Sequence, residues 1–264
     1  MKLAILCQEE PVFLGPFLQD VIALRPNNIV AVFITGRRSG GEKKGTFKEK
    51  WESLQSYWLI LEPLGFFQSI FWRGRARVLG AWDPRSVAGT AKRWGIPVHI
   101  VSDPNGQAFF DLLRGIQPDA ILNQSERMLK GTVLSIPPFG FVNRHASLLP
   151  AHRGRLASFW SHSENLPRYG TTIHRVDEGV DTGPILVQEE NIGINPASPY
   201  PIVMRALCEK APALLWKALD LLETENFKPL PNVPFDKPRK FPTLAEAKAY
   251  RALLAKRRSR SLNT

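Results

Sequence analysis

Three polar residues interrupt apolar segments in the second half of this chain, and their types suit the chemistry of a reacting carbonyl group. Asn143 and His145 lie in the run Phe-Val-Asn-Arg-His-Ala-Ser, and Asp181 lies in Val-Asp-Glu-Gly-Val-Asp-Thr-Gly. Because Asn143 and His145 are two positions apart, both side chains point to the same side of an extended strand. An amide NH2 and an imidazole directed at one atom can stabilise a developing oxyanion and relay a proton. A nearby carboxylate can orient the imidazole, so the set suits acyl transfer to an amine.

The same residues also fit structural roles. A single histidine at a strand end commonly has its polar atoms satisfied within the fold, and an Asp before Thr-Gly commonly shapes a turn. The spacing alone therefore leaves catalysis and a structural role open. We expect no metal site, because the other histidines lack His-Glu-x-x-His spacing, and no Gly-x-Ser-x-Gly elbow indicates a serine hydrolase. Those histidines are His99, His152, His162 and His174.

The elements that must position these residues alternate between short apolar runs and helical patterns. Such alternation predicts an α/β fold with an open, mostly parallel, doubly wound sheet, in which catalytic residues follow the carboxyl ends of strands. The predicted strands of the first half are 3–7, 29–35, 98–102 and 120–123. The predicted helices there are 12–24, the aromatic region after Lys50, 87–94 and 107–116.

The second half predicts a strand over 141–145, a helix over 156–163, strands over 170–176 and 184–194, and a helix over 199–224. Five prolines then break regular structure before a short basic helix over 244–256. We therefore expect a catalytic domain over residues 1–227 and a Pro-rich, basic C-terminal extension over residues 228–264. The first strand runs into Gln-Glu-Glu-Pro, which lacks the glycines that cradle a pyrophosphate, so a dinucleotide cofactor is not expected.

The net charge of +11 is concentrated in two segments. Residues 228–264 carry +8 and residues 36–50 carry +4, so the remaining chain is close to neutral. A basic end of this kind is typically solvated, and nucleic acid is not an expected partner. Cys7 and Cys208 form no disulfide framework and no export pattern is visible, so we expect a cytoplasmic protein.

The most apolar region, from Tyr57 to Trp72, is interrupted by Glu62, Pro63 and Gly65. It is too broken to supply the roughly 20 continuous apolar residues of a membrane span. We interpret it as aromatic helices packed on the sheet, and we expect no membrane partner.

Two longer runs resemble the signature of the formyltransferase family. They are Asn-Arg-His-Ala-Ser-Leu-Leu-Pro-Ala-His-Arg-Gly over 143–154 and Gly-Thr-Thr-Ile-His-Arg-Val-Asp-Glu-Gly-Val-Asp-Thr-Gly over 170–183. The resemblance is strong over about residues 120–195, and the first 120 residues share a compatible α/β layout. The family includes glycinamide ribonucleotide, methionyl-tRNA and sugar-nucleotide formyltransferases and a formyltetrahydrofolate hydrolase.

The resemblance implies 10-formyltetrahydrofolate as the formyl donor and Asn143, His145 and Asp181 as catalytic residues. Asn143 and His145 would face the formyl carbon, and Asp181 would favour the charged imidazole and raise its pKa. The resemblance also implies a cis peptide bond between Leu149 and Pro150. The pterin would lie against the backbone of two loops, which here are Arg127, Met128, Leu129 and Asp177, Glu178, Gly179, Val180.

This chain differs from the family pattern at two places, and the differences favour a small-molecule amine as the acceptor. The favoured case is a nucleotide-linked amino sugar. Glu9, Glu10 and Pro11 stand where purine-pathway members have a glycine-rich phosphate loop, and a short basic tail stands where the tRNA enzymes carry a β-barrel. The basic loop 36–50 is then expected either to close over an anionic acceptor or to be a solvated surface loop. Two alternatives stay open: a hydrolase that uses water, and a non-catalytic protein that binds folate or nucleic acid. The oligomeric state is also left open.

Overall fold

The computed structural model describes residues 1–36 and 46–261. Its centre is a seven-stranded sheet in the order β3-β2-β1-β4-β5-β6-β7. The first five strands of this order pair in parallel, and β6 and β7 continue the sheet antiparallel. The strands are β1 (Leu3–Gln8), β2 (Ile29–Thr35), β3 (Val98–Val101), β4 (Ala120–Gln124), β5 (Phe141–His145), β6 (Gly170–Arg175) and β7 (Ile185–Glu190).

Helices flank the sheet on both faces, so the predicted doubly wound α/β architecture is confirmed. They are α1 (Leu14–Leu24), α2 (Phe47–Leu79), α3 (Val87–Arg93), α4 (Gln107–Ile116), α5 (Ala157–His162), α6 (Tyr200–Leu222) and α7 (Leu244–Ser261). The basic residues expected to close over an acceptor lie outside the described residues. They are Arg37, Arg38, Lys43 and Lys44.

Alternation along the strands divides the core between the two faces of the sheet. Leu3 and Ile5 of β1 pack with α1, α3 and α6, whereas Ala4 and Leu6 pack on the opposite face with α4. Both faces are apolar because parallel strands connected by helices are covered on each side. The carboxyl ends of these rigid strands therefore emerge at one edge, where side chains from different strands meet.

Helix α2 departs from this pattern. It is kinked at Glu62, which has a non-helical φ of 59° and comes directly before Pro63. The kink arises because proline lacks an N–H and disfavours the helical conformation of the residue before it. Beyond the kink, the side that faces the body carries Gly65, Ser69 and Ala76, while larger apolar residues lie on the opposite side and are exposed. The prediction that these aromatic helices pack on the sheet is therefore wrong, because α2 packs mainly against α7 and α6 and its second half exposes its large apolar residues.

The segment after residue 227 packs back on the body. Leu230 pairs with Ile185, and Arg239 pairs with Gly154, whose φ of 94° suits glycine. A Cβ at Gly154 would lie 2.4 Å from the Arg239 carbonyl oxygen, so this approach requires glycine. Helix α7 then packs against α2, and its Tyr250 and Leu254 are buried. In the described ranges, no helix is long and apolar enough to cross a bilayer.

Candidate active site

Strand β5 ends with Asn143 and His145, and both side chains reach the same carboxylate. The Asn143 Nδ2 atom donates to Asp181 Oδ1 at 3.2 Å, and His145 Nδ1 lies 3.5 Å from Asp181 Oδ2. The two-residue spacing therefore places both groups on one side of the strand, as the sequence predicts. Asp181 comes from the loop between β6 and β7, which folds over the end of β5.

The backbone holds Asp181 firmly in place. Its φ of 51° lies in the left-handed region, and its Oδ2 atom accepts from the Gly154 N–H at 2.7 Å. Asn232, from the C-terminal segment, donates from Nδ2 to the Asp181 carbonyl at 3.0 Å. Burial raises the pKa of the Asp181 carboxyl, but attraction to His145 and His174 and the bond from Gly154 outweigh it, so the pKa lies below its ordinary value. Asp181 is therefore ionised at neutral pH.

The tautomer of His145 follows from its partners. Its Nε2 atom lies 3.1 Å from the carbonyl oxygen of His152, and a carbonyl only accepts, so Nε2 carries a proton and donates it. Nδ1 is thereby left facing Asp181. Burial lowers the pKa of His145, and attraction from Asp181 opposes this change without cancelling it. Asp181 thus raises the pKa of His145, as predicted, but burial lowers it by more, because the imidazole is almost completely buried and its charged form loses hydration. His145 is neutral at rest and can accept a proton on Nδ1.

His174 is a member of the cluster that the sequence interpretation did not assign. It lies opposite Asn143 in the β5–β6 register, and its Nδ1 donates to the Arg175 carbonyl at 2.7 Å. Its Nε2 atom therefore faces Asn143 Nδ2 at 3.1 Å and Asp181 Oδ1 at 3.5 Å. His174 lies in the run 170–183 that resembles the formyltransferase signature. Only the pairing of β5 with β6 places it beside Asn143.

Gln124, at the end of β4, orients the amide of Asn143. Its Nε2 atom donates to Asn143 Oδ1 at 2.7 Å, and its Oε1 atom accepts from Arg144 Nε at 3.2 Å. The amide NH2 of Asn143 is consequently turned toward Asp181 and His174. Sequence reasoning also missed Gln124, although its place at the end of a neighbouring strand is the relevant clue.

A cleft opens beside this cluster between the two loops that the resemblance singled out. Glu178 ties these loops together, because its Oε1 atom accepts from the Gly131 N–H at 2.7 Å. Asn105 supports the first loop by donating to the Met128 carbonyl at 2.9 Å. The other six predicted cofactor-binding residues line the cleft directly. The lining consists of Asn123, Arg127, Met128, Leu129, Asn143, His174, Val176, Asp177, Gly179, Val180 and Asp181.

A larger cavity of about 840 Å³ lies at the carboxyl ends of β1 and β2 and shares Arg127 with the cleft. Arg73 and Arg77 of α2 contribute positive charge to its wall, and Glu9, Glu10 and Glu126 contribute negative charge. It is the place that doubly wound sheets commonly use for ligands.

The loop after β1 places its own carboxylates on two helix N-termini. Glu10 accepts from the backbone N–H groups of Val12, Phe13 and Leu14 at 2.8 to 3.0 Å, at the start of α1. Glu9 accepts from the Val87 N–H at 2.7 Å, at the start of α3. Helix N-termini attract anions, so the protein's own carboxylates already satisfy these two N-termini.

The peptide bond between Leu149 and Pro150, behind the site, is cis. The cis bond implied by the family resemblance is therefore confirmed.

The fold agrees with the comparisons to known proteins. The sequence profile described as "Formyl transferase" matches residues 72–219, more than half of the chain. The chain belongs to the formyl transferase family. It is 40% identical over 148 residues to a methionyl-tRNA formyltransferase of Deinococcus radiodurans, covering 55% of this chain and 46% of that protein. It is 38% identical over 155 residues to the enzyme of the same name from Syntrophus aciditrophicus, covering 58% and 48%. The chain thus spans about half the length of these relatives.

Solved structures share the fold. A glycinamide ribonucleotide transformylase from Symbiobacterium toebii aligns with a TM-score of 0.57 and 17% identity, over 88% of this chain and 94% of that one. A sugar N-formyltransferase from a Shewanella species aligns with a TM-score of 0.52 and 13% identity, over 90% and 75%. In the part of the chain that the structure describes, no group of three or more His, Cys, Asp or Glu side chains is arranged so that it could hold a metal ion.

Proposed function

We propose that this protein transfers a formyl group from 10-formyltetrahydrofolate to the amine of a small acceptor. The observation that carries the proposal is the convergence of Asn143, His145 and His174 on the ionised Asp181, at the edge of the two-loop cleft. Two imidazoles and an amide on rigid strands, with a carboxylate on the adjoining loop, can move protons and stabilise negative charge on a carbonyl oxygen. Membership of the formyl transferase family supports the choice of a formyl group.

The residues of the cleft fit a folate donor. The side chains of Leu129, Val176 and Val180 give it apolar walls, and the amides of Asn123 and Asn143 give it polar groups. This combination suits a flat heterocycle with donors and acceptors along its edge. The cleft has a volume of about 90 Å³, which is room for part of such a ring system.

The roles of the side chains follow from their hydrogen bonds. When bound, the donor would supply the formyl group. Asn143, held at Oδ1 by Gln124, would release one of its two N–H hydrogen bonds, to Asp181 or His174, and donate that N–H to the formyl oxygen, where negative charge develops. His145 would take a proton from the acceptor amine on Nδ1, with Asp181 balancing the charge. As the amine nitrogen bonds to the formyl carbon and the bond to folate breaks, that proton would pass to the leaving nitrogen.

The cavity of about 840 Å³, which adjoins the cleft through Arg127, favours an acceptor molecule over water, because a hydrolase needs no such space. Arg73, Arg77 and Arg127 in its wall suit phosphate groups. Glu9 and Glu10 occupy the nearby helix N-termini, and Glu10 also accepts from Arg73 at 3.2 Å. Phosphate recognition would therefore fall to Arg77 and Arg127, and to Arg73 once its bond to Glu10 opens. We therefore favour a nucleotide-linked amino sugar as the acceptor.

Methionyl-tRNA is the second candidate acceptor, because the two relatives named above carry that activity in their names. The test is to incubate the protein with 10-formyltetrahydrofolate and to follow release of tetrahydrofolate. The candidate acceptors are offered separately: nucleotide-linked amino sugars, Met-tRNA and glycinamide ribonucleotide. Release that depends on the amino sugar supports the proposal, and release that depends only on Met-tRNA replaces it with the second candidate.

The arginines provide a matched test of the acceptor. We expect Arg73→Ala and Arg77→Ala to raise KM for a phosphorylated acceptor, with a smaller effect at high salt because Coulombic attraction is screened. Arg114→Ala is the control, since Arg114 is exposed on α4 and lies away from the cavity lining. An unchanged KM in both cavity variants would remove these arginines from acceptor binding.

A further inference from the structure

The second half of α2 exposes large apolar side chains on the side that faces away from the body. The exposed fractions of Leu64, Phe67, Phe71 and Val78 are 73%, 61%, 59% and 82%. Ile70 is also exposed. An apolar patch of this kind on a protein surface marks an interaction site. We call these five residues the α2 outer face.

Helical geometry shows that the outer face is continuous. At 100° per residue and with Trp72 set at zero, the body-facing Gly65 and Ala76 fall at about 20° and 40°. The residues of the outer face fall between about 160° and 280°, directly opposite. Trp58, from the first half of α2, extends this surface across the kink, because its ring packs edge-on against Phe67 at 5.7 Å.

Positive charge borders the outer face on both sides. On the same wheel Arg73 and Arg77 fall at about 100° and 140°, and Arg75 falls at about 300°. Residues 63–82 contain these three arginines and no aspartate or glutamate. Lys92 adds a further cation at the end of the face, where its Nζ atom lies 3.2 Å from the ring centre of Trp82. Arg73 lies 3.2 Å from Glu10 and Arg75 lies 3.6 Å from Asp83, so these two charges are partly balanced. Arg77 and Lys92 then contribute most of the positive charge beside the apolar centre.

We propose that the α2 outer face docks this protein on an anionic membrane surface. A helix with exposed Phe, Ile and Leu between arginines can lie in the plane of the interface, with its apolar side chains at the boundary of headgroups and acyl chains. The arginines then meet anionic headgroups. The alternative occupant is a second copy of the chain, and the oligomeric state distinguishes it from a membrane in the test below.

This proposal departs from the expectation of no membrane partner, which rested on the lack of a membrane span. The breaks at Glu62, Pro63 and Gly65 prevent a span, but docking requires only that one side of a helix be apolar and exposed. Arg73 and Arg77 also line the cavity of about 840 Å³, so docking would place that cavity beside the lipid surface. The docking itself does not depend on formyl transfer.

The test is sedimentation of the full chain with vesicles of phosphatidylcholine, with and without phosphatidylglycerol. We expect binding to the anionic vesicles to be about tenfold stronger and to weaken at high salt. Phe67→Ser/Phe71→Ser should reduce that binding about tenfold or more. The matched control is Leu166→Ser/Ile192→Ser, which changes two residues that are 87% and 85% exposed outside α2 and should leave binding unchanged.

Circular dichroism of both double variants establishes that each is folded before binding is compared. Equal vesicle binding by the wild type and Phe67→Ser/Phe71→Ser would overturn the proposal. Absence of binding to anionic vesicles would also overturn it. If light scattering then shows a dimer that only Phe67→Ser/Phe71→Ser dissociates, the outer face is an interface between two copies instead.

Discussion

The polar cluster around Asp181 and the outer face of α2 present opposite relations between side chain and environment. At the cluster, charged and polar groups are buried and each has a specific partner, such as the Gly154 N–H for Asp181. On α2, large apolar groups lie in solvent. Both arrangements cost free energy in an isolated domain, because buried charge loses hydration and exposed apolar surface orders water. These costs motivate the two proposals, formyl transfer at the polar cluster and membrane docking at the α2 outer face.

The largest expected effect concerns the polar cluster. His145→Ala and Asn143→Ala should each reduce formyl transfer by ~10²–10⁴-fold, because a proton acceptor or an oxyanion donor is lost. The matched control is His99→Ala, which removes a histidine from β3 at the other edge of the sheet. Steady-state kinetics of tetrahydrofolate release measures the effect. Near wild-type turnover in either cluster variant would show that the cluster is structural.

Two leucines, one buried and one exposed, test how much packing contributes to stability in each region. Leu113 of α4 is completely buried, whereas Leu64 of α2 is 73% exposed. Leu113→Ala should lower the free energy of unfolding by about 2–5 kcal/mol, because it leaves a cavity in the core. Leu64→Ala should change it by less than about 0.5 kcal/mol. Urea unfolding measures both, and a comparable loss in Leu64→Ala would mean that α2 is packed rather than exposed.

The sequence predicts the polar cluster around Asp181 better than it predicts the α2 outer face. Alternation along β5 places Asn143 and His145 on one side, since a strand repeats every two residues whatever surrounds it. The partner of Asn143 across the β5–β6 register, His174, depends on strand pairing, which local sequence does not specify. The pKa of His145 depends on burial by distant elements. For α2, the apolar residues predict a helix, but only the structure shows which side faces the body.

Glu62 links α2 to the C-terminal helix and provides a pH test of how α2 is anchored. Its hydrogen bonds from Arg258 and Arg251 lower its pKa to about 2. The pKa of an unfolded glutamate is about 4.3, so the unfolded state takes up a proton first as the pH falls. The stabilisation is therefore present above about pH 4.3 and is lost as the pH falls toward 2.

Glu62→Gln should lower the free energy of unfolding at pH 7 by about 1–3 kcal/mol, because charge-assisted hydrogen bonds are lost. It should also flatten the pH dependence of stability between about pH 4 and pH 2. Denaturant unfolding at several pH values measures both changes. The control is Glu190→Gln on β7, whose pair with Arg168 is on the surface and should contribute less. An equal loss in the two variants would show that Glu62 anchors nothing beyond an ordinary surface pair.

The smallest expected effect is a shift in a pH profile. The negative charge of Asp181 stabilises the protonated form of His145, so Asp181→Asn should lower the pKa of His145 further. The acid limb of the pH–rate profile, which reports protonation of this histidine, should then move to lower pH while folate binding is retained. A profile that keeps its position would mean that Asp181 shapes the loop without tuning the histidine.

The most direct test of formyl transfer follows the formyl carbon itself. The protein is incubated with 10-formyltetrahydrofolate labelled with carbon-13 in the formyl group, together with a nucleotide-linked amino sugar, and the label is located by NMR. We predict that the label appears as a formamide on the sugar nitrogen and that Asn143→Ala largely prevents its transfer. Label recovered as formate would identify a hydrolase. Label that stays on folate with every amine tested would contradict the proposed reaction.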